Sequence, residues 1–228
     1  EEYLVVSRSD STLRGHYPLE TDVMAEELGG FDAHFLIPAF FEGGRITRDS
    51  IHYLMVNGKE TPVHETEFAQ DSVFGYRHSY LPDYVEEKTK GKIISSEVER
   101  FLLKDIREGT VNRLRLLENN RCVVVDGEKQ EDLDKLAEDL LTVAGEGKKF
   151  LFRSAASILT SLARLGKQPI PPEEMAKYKP YDNNGVIIVG SHVKKTTQQL
   201  NQLLQESDIK PIEIDVTILR DDFSQRES

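Results

Sequence analysis

Short apolar runs of β-forming residues alternate with helix-length polar segments along most of this chain, and that alternation restricts the folds open to it. The runs are Leu4-Val5-Val6, Ala33 to Ile37, Tyr53 to Val56, Phe101-Leu102-Leu103, Cys122 to Val125, Phe150-Leu151-Phe152, Val186 to Val189 and Ile212-Glu213-Ile214. Several are apolar throughout, as strands buried on both faces of a parallel sheet must be. From Gln130 onward, Leu133, Leu136, Ala137, Leu140 and Leu141 share one helical face. Thr110 to Leu117 and Ala155 to Leu165 read in the same way. Strands alternating with helices predict an α/β fold: a mostly parallel sheet flanked by helices, Rossmann-like and three-layered. Asn57 to Lys92 is less regular and reads as a hairpin or an excursion from that pattern.

A boundary falls where Pro169, Pro171 and Pro172 crowd together, because proline halts regular structure. Residues 1–167 form the main domain on this reading, 168–185 a linker, and 186–228 the start of a second α/β domain. That second part is expected to be a single βαβ unit: a strand at 186–189, a helix near Lys195 to Gln205 capped by Thr196 or Thr197, and a strand at 212–216. Two strands and one helix bury too little to stand alone. The tail is therefore expected to dock on the main domain or to pair with a second copy of the chain.

Within this frame, the stretch Ser7 to His16 carries the chemistry. It follows the first apolar run and precedes Pro18-Leu19-Glu20, which reads as the first turn of a helix. Ten residues hold two arginines, an aspartate, a histidine, four hydroxyls and a glycine. A loop that only turned the chain would be built of Gly, Asn, Pro and Ser. Other polar clusters also follow strands: Pro38 to Arg45, Asp126-Gly127, Arg153-Ser154 and Gly190-Ser191-His192. Open α/β sheets bind ligands beyond the carboxyl ends of their strands, which is where these clusters would converge.

The residue types narrow the ligand. Arg14 and Arg45 suit a carboxylate, since a guanidinium fork matches two coplanar oxygens. Gly15, Gly43 and Gly44 allow backbone amides to approach an anion. Asp10, Ser11 and His16 suit sugar-type hydroxyls. Arg153, ahead of the small-residue helix start Ser154-Ala155-Ala156-Ser157, forms a candidate anion seat. Glu65, Glu67 and Asp71 are open to two readings, a base or water-mediated Mg²⁺ holder and an ordinary solvated acidic face. Gly190 and Ser191, at a strand-to-helix turn, could meet a phosphate through backbone amides.

Composition excludes several classes. With 29 basic and 40 acidic residues the net charge is −11, unsuited to duplex nucleic acid, whose binding leans on Lys and Arg. Arg8, Arg14, Arg45, Arg48 and Arg153 nevertheless lie in or beside the proposed loops, a local basic spot for a small anion. No run approaches the ~18–20 apolar residues of a membrane span. A single cysteine, Cys122, permits no internal disulfide and fits a reducing cytoplasm. The Gly-Lys pairs at 58–59, 91–92, 147–148 and 166–167 lack the following Ser or Thr of a P-loop, and no G-x-G-x-x-G occurs. His64-Glu65 has no second histidine at zinc-protease spacing. On these grounds alone the chain is a cytoplasmic α/β domain that binds a small polyhydroxylated anion.

Five blocks carry a further likeness. S-D-S-T-L-R-G-H (9–16), I-P-A-F-F-E-G-G-R-I-T (37–47), H-E-T-E-F-A-Q-D (64–71), F-R-S-A-A-S (152–157) and V-G-S-H-V-K-K-T-T-Q-Q-L (189–200) occur in this order, and the ordered set resembles the four-carbon acid sugar kinase family. The resemblance implies transfer of the ATP γ-phosphoryl group to the terminal hydroxyl of a threonate, an erythronate or a 3-oxo-tetronate. It puts Asp10, Ser11, Arg14 and Gly15 on the family's substrate loop, with Asp10 also a candidate base. Gly190 and Ser191 fall at the ATP-contacting turn, and Mg²⁺ is implied with the nucleotide. His16 departs from the asparagine common in the family, Tyr17-Pro18 from the usual following glycine, and Val193 from a frequent serine. The family's opening Asp-Asp-x-Thr-Gly loop and the body of its Gly-rich nucleotide domain have no counterpart here. The chain is therefore expected to be part of a longer protein and inactive as a kinase by itself. Two other classes stay open at this point: a non-catalytic sugar-acid sensor, and an isomerase or aldolase on a similar sheet.

Overall fold

Parallel pairing of five strands is what five of the six apolar runs in the first 154 residues produce, the exception being Tyr53 to Val56, which pairs antiparallel. The computed structural model describes residues 3–166, 170–178, 185–191 and 193–215, and the chain divides into two units, Glu1–Pro169 and Ile170–Ser228. In chain order the first unit runs β1 (Val5–Arg8), α1 (Leu19–Leu28), β2 (Ala33–Ile37), β3 (Arg45–Arg48), β4 (Ile51–Val56), β5 (Lys59–Pro62), α2 (Leu81–Thr89), β6 (Glu99–Phe101), α3 (Leu103–Glu108), α4 (Val111–Leu116), β7 (Arg121–Val125), α5 (Gln130–Gly145), β8 (Phe150–Ser154) and α6 (Ala156–Leu162). The main sheet has the order β1-β8-β2-β7-β6, and a separate sheet has the order β3-β4-β5. Every pairing in the main sheet is parallel, with Val5 opposite Leu151, Ala33 opposite both Phe150 and Arg121, and Glu99 opposite Val123. All five carboxyl ends therefore emerge at one edge.

Alternation along the central strands divides the core between two faces. Ala33, Phe35 and Ile37 of β2, with Val123 and Val125 of β7, meet Ile106, Leu114, Leu133, Leu136, Leu140 and Ile158 from α3 to α6. Leu36, Cys122 and Val124 point the other way, against Leu13, Tyr17, Val63, Tyr76, Leu81, Tyr84 and Val85. Phe35 is the hub of the first face, with ring centroids 5.4 Å from both Phe150 and Phe152. The longest helix, α5, keeps the apolar face its spacing predicts. Its first turn is closed by the Asp132 carboxylate, which accepts the Glu128 and Lys129 amides at 3.1 and 3.2 Å.

The irregular segment contains a hairpin, as expected, and more besides. β3 and β4 turn through Asp49 and Ser50, both left-handed at φ 52° and 64°, and β5 adds a third antiparallel strand. The buried Asp126 carboxylate, just past β7, accepts the Asp49 and Ser50 amides at 2.9 and 2.8 Å. Thr47 and Gly127 exchange backbone hydrogen bonds, both 2.9 Å. The hairpin is thus fastened to the carboxyl edge of the parallel sheet.

Several boundaries differ from the sequence reading. The expected strand at 101–103 lies two residues earlier, because Asp105 accepts the Leu102 amide and starts α3 at Leu103. The helix expected to reach Leu165 ends at Leu162, and Arg164 is left-handed at φ 52°.

In the second unit, a 3₁₀ segment spans Pro172–Tyr178 and α7 spans Lys194–Leu203. The expected helix is present; the expected strands are not formed among the described residues. Residues 185–190 and 211–215 form no ladder among the described residues, and residue 216 lies outside them. Val186 and Ile188 are 87% and 91% exposed. Apolar, β-branched sequence makes a strand only where a neighbouring strand accepts its hydrogen bonds. Neither Thr196 nor Thr197 caps α7. The residue at that position is Val193, whose amide is bound by the Ser191 hydroxyl at 3.3 Å.

Candidate functional site

The loop after β1 leaves the sheet beside β8, where the Ser9 amide donates to the Ser154 carbonyl at 2.9 Å. Leu13 then plunges into the core with no exposed surface, at a left-handed φ of 68°. This buried plug keeps the flanking polar side chains at the surface. Arg14 Nε donates to Asp10 Oδ2 at 2.9 Å, and the Thr12 hydroxyl donates to the same oxygen. Arg14 also faces Asp71 at 3.6 Å and lies over the Phe68 ring at 5.0 Å.

A cleft of about 380 Å³ opens here, lined by Arg8, Ser9, Asp10, Arg14, Gly15, His16, Glu20, Asp71 and Phe74. That size is at the small end of the ~300–1,000 Å³ usual for small-molecule sites. Burial works against the Asp10 charge, but the Thr12 hydroxyl and the Arg14 guanidinium outweigh it and hold its pKa below the ordinary value. Asp71 is lowered as well, by the Phe74 and Val73 amides first and then by Arg14. Both carboxylates are therefore ionised acceptors at neutral pH. Asp10 keeps lone pairs for a ligand hydroxyl, and the Arg14 fork is not fully used by its two acids. His16 stands edge-on to Phe74 with centroids 4.9 Å apart.

Of the residues singled out from the sequence, Asp10, Arg14, Gly15 and His16 line the cleft together. Ser11 lies beside it and turns its backbone carbonyl inward. Gly44 and Arg45 occupy the adjoining turn, where Gly44 is left-handed at φ 70° and a side chain would meet Met55. Arg45 Nη1 donates to the Gly43 carbonyl, and its buried Nε has no partner among the described residues. Burial lowers its pKa, with Asp10 opposing and Arg14 adding to that shift, so the three charges feel one another.

Arg153 is 1% exposed and sits beneath the loop rather than in the cleft wall. Its Nε donates to Glu20 and its Nη2 to the Arg14 carbonyl at 3.2 Å, while Nη1 is buried without a partner among the described residues. Asp71 joins the cleft, whereas Glu65 and Glu67 are exposed outside it. Arg48 is taken up by Glu60 and Glu128 on the surface. Gly190 and Ser191 belong to the second unit, where Ser191 Oγ is engaged by Val193 and Thr196. His192 lies outside the described residues.

The structure adds residues the sequence did not single out. His52 on β4 is fully buried, with Nε2 2.8 Å from the Ser11 carbonyl and Nδ1 2.9 Å from the Thr47 hydroxyl. Desolvation lowers its pKa to about 4, so the ring is neutral at pH 7. The carbonyl can only accept, which places the proton on Nε2. The Tyr76 hydroxyl donates to the Thr12 carbonyl at 2.6 Å and Tyr84 to the Leu13 carbonyl at 2.7 Å. A cue for His52 existed: in Ile51-His52-Tyr53-Leu54 only the alternate residues His52 and Leu54 are buried. Nothing local marks the tyrosines.

Residues 1–162 match the model of a family described as a sugar-binding N-terminal domain. This chain belongs to the four-carbon acid sugar kinase family. A D-erythronate kinase from Heliobacterium modesticaldum is 28% identical over 209 residues, an alignment covering 86% of this chain and 42% of that one. Among solved structures, a Salmonella typhimurium protein superposes with a TM-score of 0.62 at 18% identity, covering 92% of this chain and 48% of its own. A domain of unknown function from Bordetella bronchiseptica, a domain-swapped dimer with bound citrate, gives 0.53 at 25% identity, with 71% and 36% covered. The chain thus spans less than half the length of these family relatives. Among the described residues no helix is long and apolar enough to cross a membrane.

Proposed function

We propose that this chain is the acid-binding portion of an ATP-dependent kinase that phosphorylates a four-carbon sugar acid, an erythronate, threonate or 3-oxo-tetronate, at its terminal hydroxyl. One observation carries this reading: the Arg14 guanidinium and the Asp10 carboxylate stand side by side at the mouth of a small cleft on the carboxyl edge of a parallel sheet. Together they match a molecule with a carboxylate at one end and hydroxyls along its length. Kinship to a D-erythronate kinase supports the substrate class. Citrate, a small hydroxylated carboxylate, in the Bordetella protein agrees with it.

In this reading Arg14, assisted by the Arg45 charge, holds the carboxylate, while Asp10, Ser11 and His16 orient hydroxyls. Asp10, with its lowered pKa, serves better as an orienting acceptor than as a strong base. Phosphoryl transfer needs little more, since it depends chiefly on positioning and charge neutralisation. Arg153 contributes by bracing the loop. Residues 1–167 form the acid-binding domain, 168–185 the linker and 186–228 the opening of the nucleotide domain, where the Gly190-Ser191 turn contributes to ATP binding. When bound, Mg²⁺ neutralises charge on the transferring phosphoryl group. Among the described residues no three His, Cys, Asp or Glu side chains gather as a metal site, so its ligation is assigned to none of them. The protein is proposed to be cytoplasmic and to form a homodimer.

The test is calorimetric titration of the natural protein with D-erythronate and D-threonate, erythritol serving as the uncharged reference, followed by assay of ATP-dependent phosphorylation. Binding of an acid in preference to erythritol, with phosphate transferred to it, is expected. Equal binding of acid and erythritol, or turnover of the acid without ATP, overturns the proposal.

A further inference from the structure

Four successive backbone carbonyls in the cleft loop are each held by a side chain from elsewhere in the chain. Ser11 is bound by His52 of β4, Thr12 by Tyr76, Leu13 by Tyr84 of α2, and Arg14 by Arg153 of β8. His52, Tyr76, Tyr84 and Arg153 are all buried, at 0, 4, 0 and 1% exposure. A loop that needed only to be tied down would not require every carbonyl in a row to be satisfied from the core.

The consequence lies in the opposite side of the same peptides. A trans peptide is planar, and its C=O and N–H point in opposite directions. Carbonyls 13 and 14, drawn toward Tyr84 and Arg153, turn the amides of Arg14 and Gly15 away from the core. Arg14 and Gly15 both line the cleft. Among the described residues neither amide has a hydrogen-bond acceptor. Gly15, at φ 128°, has no side chain to cover them, and a Cβ there would stand 3.2 Å from Arg153 Nη2.

We propose that His52, Tyr76, Tyr84 and Arg153 are positioning residues that set the 11–14 segment as a fixed amide cradle, in which the Arg14 and Gly15 N–H groups receive a carboxylate oxygen of the sugar acid beside the Arg14 guanidinium. Adjacent amides pointing the same way make an anion-binding concavity. Holding them in place before the ligand arrives removes the ordering cost from binding. The His52 ring suits this use because a neutral ring, with Nδ1 bonded to the Thr47 hydroxyl, has one donor left and aims it at one acceptor. This inference rests on the proposed function for the identity of its ligand.

The experiment measures affinity for D-erythronate by calorimetry and for erythritol by ligand-observed NMR, in the natural protein and in variants. Tyr84→Phe and Tyr76→Phe remove one hydroxyl each and keep the ring. His52→Leu removes the donor, and His52→Gln restores an N–H at similar reach. The expected result is acid affinity weakened about tenfold by Tyr84→Phe and His52→Leu, recovered to within roughly threefold by His52→Gln, with erythritol affinity unmoved. A role confined to stability would leave the acid-to-erythritol ratio where it was. That ratio unchanged across folded Tyr84→Phe and Tyr76→Phe overturns the cradle even while the acid binds. Absence of acid binding in the unsubstituted protein overturns the proposed function instead.

Discussion

The loop after β1 and the segment from residue 185 to 191 look alike in sequence, each an apolar run followed by small polar residues, yet they end differently. β1 lies along β8 with Ser7 opposite Arg153, and its loop is held from beneath by four buried donors. Val186 to Val189 has no ladder partner among the described residues, and its side chains lie in solvent. What separates the two is the supply of neighbours. A β-rich run acquires a fixed geometry from the strands beside it, and only then can the polar residues at its end be placed to within a fraction of an ångström.

The contrast can be strained from its largest consequence to its smallest. Phe35→Ala, at the aromatic hub of the parallel sheet, should cost ~3–5 kcal/mol of unfolding free energy, read as a fall in the urea midpoint; a loss under ~1 kcal/mol would break the picture of a tightly packed first unit. Arg14→Ala should raise the Michaelis constant for the acid roughly 10- to 100-fold, following the ~1.5–3 kcal/mol of a charged hydrogen bond. The constant for ATP should stay within a factor of about two, and an equal rise in both would move Arg14 out of the acid site.

Gly15→Ala should be felt more strongly in acid binding than in folding. Its φ of 128° is rarely adopted by a residue with a side chain, at a cost of about 1–3 kcal/mol that moving the loop can relieve. Thermal melts beside acid titrations separate the two, and unchanged acid affinity would break the prediction. At the opposite end of the scale, Ile188→Ser should alter thermal stability of the chain by no more than ~0.5 kcal/mol. A larger loss would show that this segment has a partner after all.

A pH test sharpens the account of how the hairpin is fastened. Burial raises the Asp126 pKa to about 6, although the Ser50 and Asp49 amides pull it down. The unfolded carboxyl titrates near ~3.9. A folded pKa above the unfolded one means stability that is fully present below about pH 4 and lost as pH rises through about 6. Urea midpoints of the unsubstituted chain relative to Asp126→Asn should therefore improve as pH falls from 7 to 5. The buried Asp132, lowered despite desolvation by Arg107 and the Glu128 and Lys129 amides, acts with the opposite sign.

Much of the fold was legible because buried parallel strands write themselves as unbroken apolar runs. Ala33–Ile37 coincides with β2, and Cys122 lies buried on β7 where its run suggested. The convergence of the clusters after β1, β2 and β7 followed from strand direction alone, whereas Gly190-Ser191 follows no strand among the described residues and belongs to the second unit. What stayed hidden depends on distant partners. Tyr76 and Tyr84 reach carbonyls 64 and 71 residues away, and nothing near them in sequence indicates that reach. In sequence Arg153 reads as an anion seat just past its strand; it lies within β8, buried, and its role as a brace was not legible, since that depends on Glu20 and the Arg14 carbonyl. The strands expected in the tail form no ladder among the described residues for a related reason: propensity is local, whereas a ladder is not.

The strand order also has a consequence in time. Among the described residues β1 pairs only with β8, and the contact that starts the cleft loop joins Ser9 to Ser154, 145 residues apart. The cleft loop thus leaves the ribosome well before it can be fixed, because its bracing arginine is made 139 residues after the carbonyl it holds. At ~5–20 residues per second, that interval is roughly 7–30 s of synthesis. Long-range closure of this kind comes late on any folding route. A chain able to bind its ligand has, by that fact, already closed its sheet.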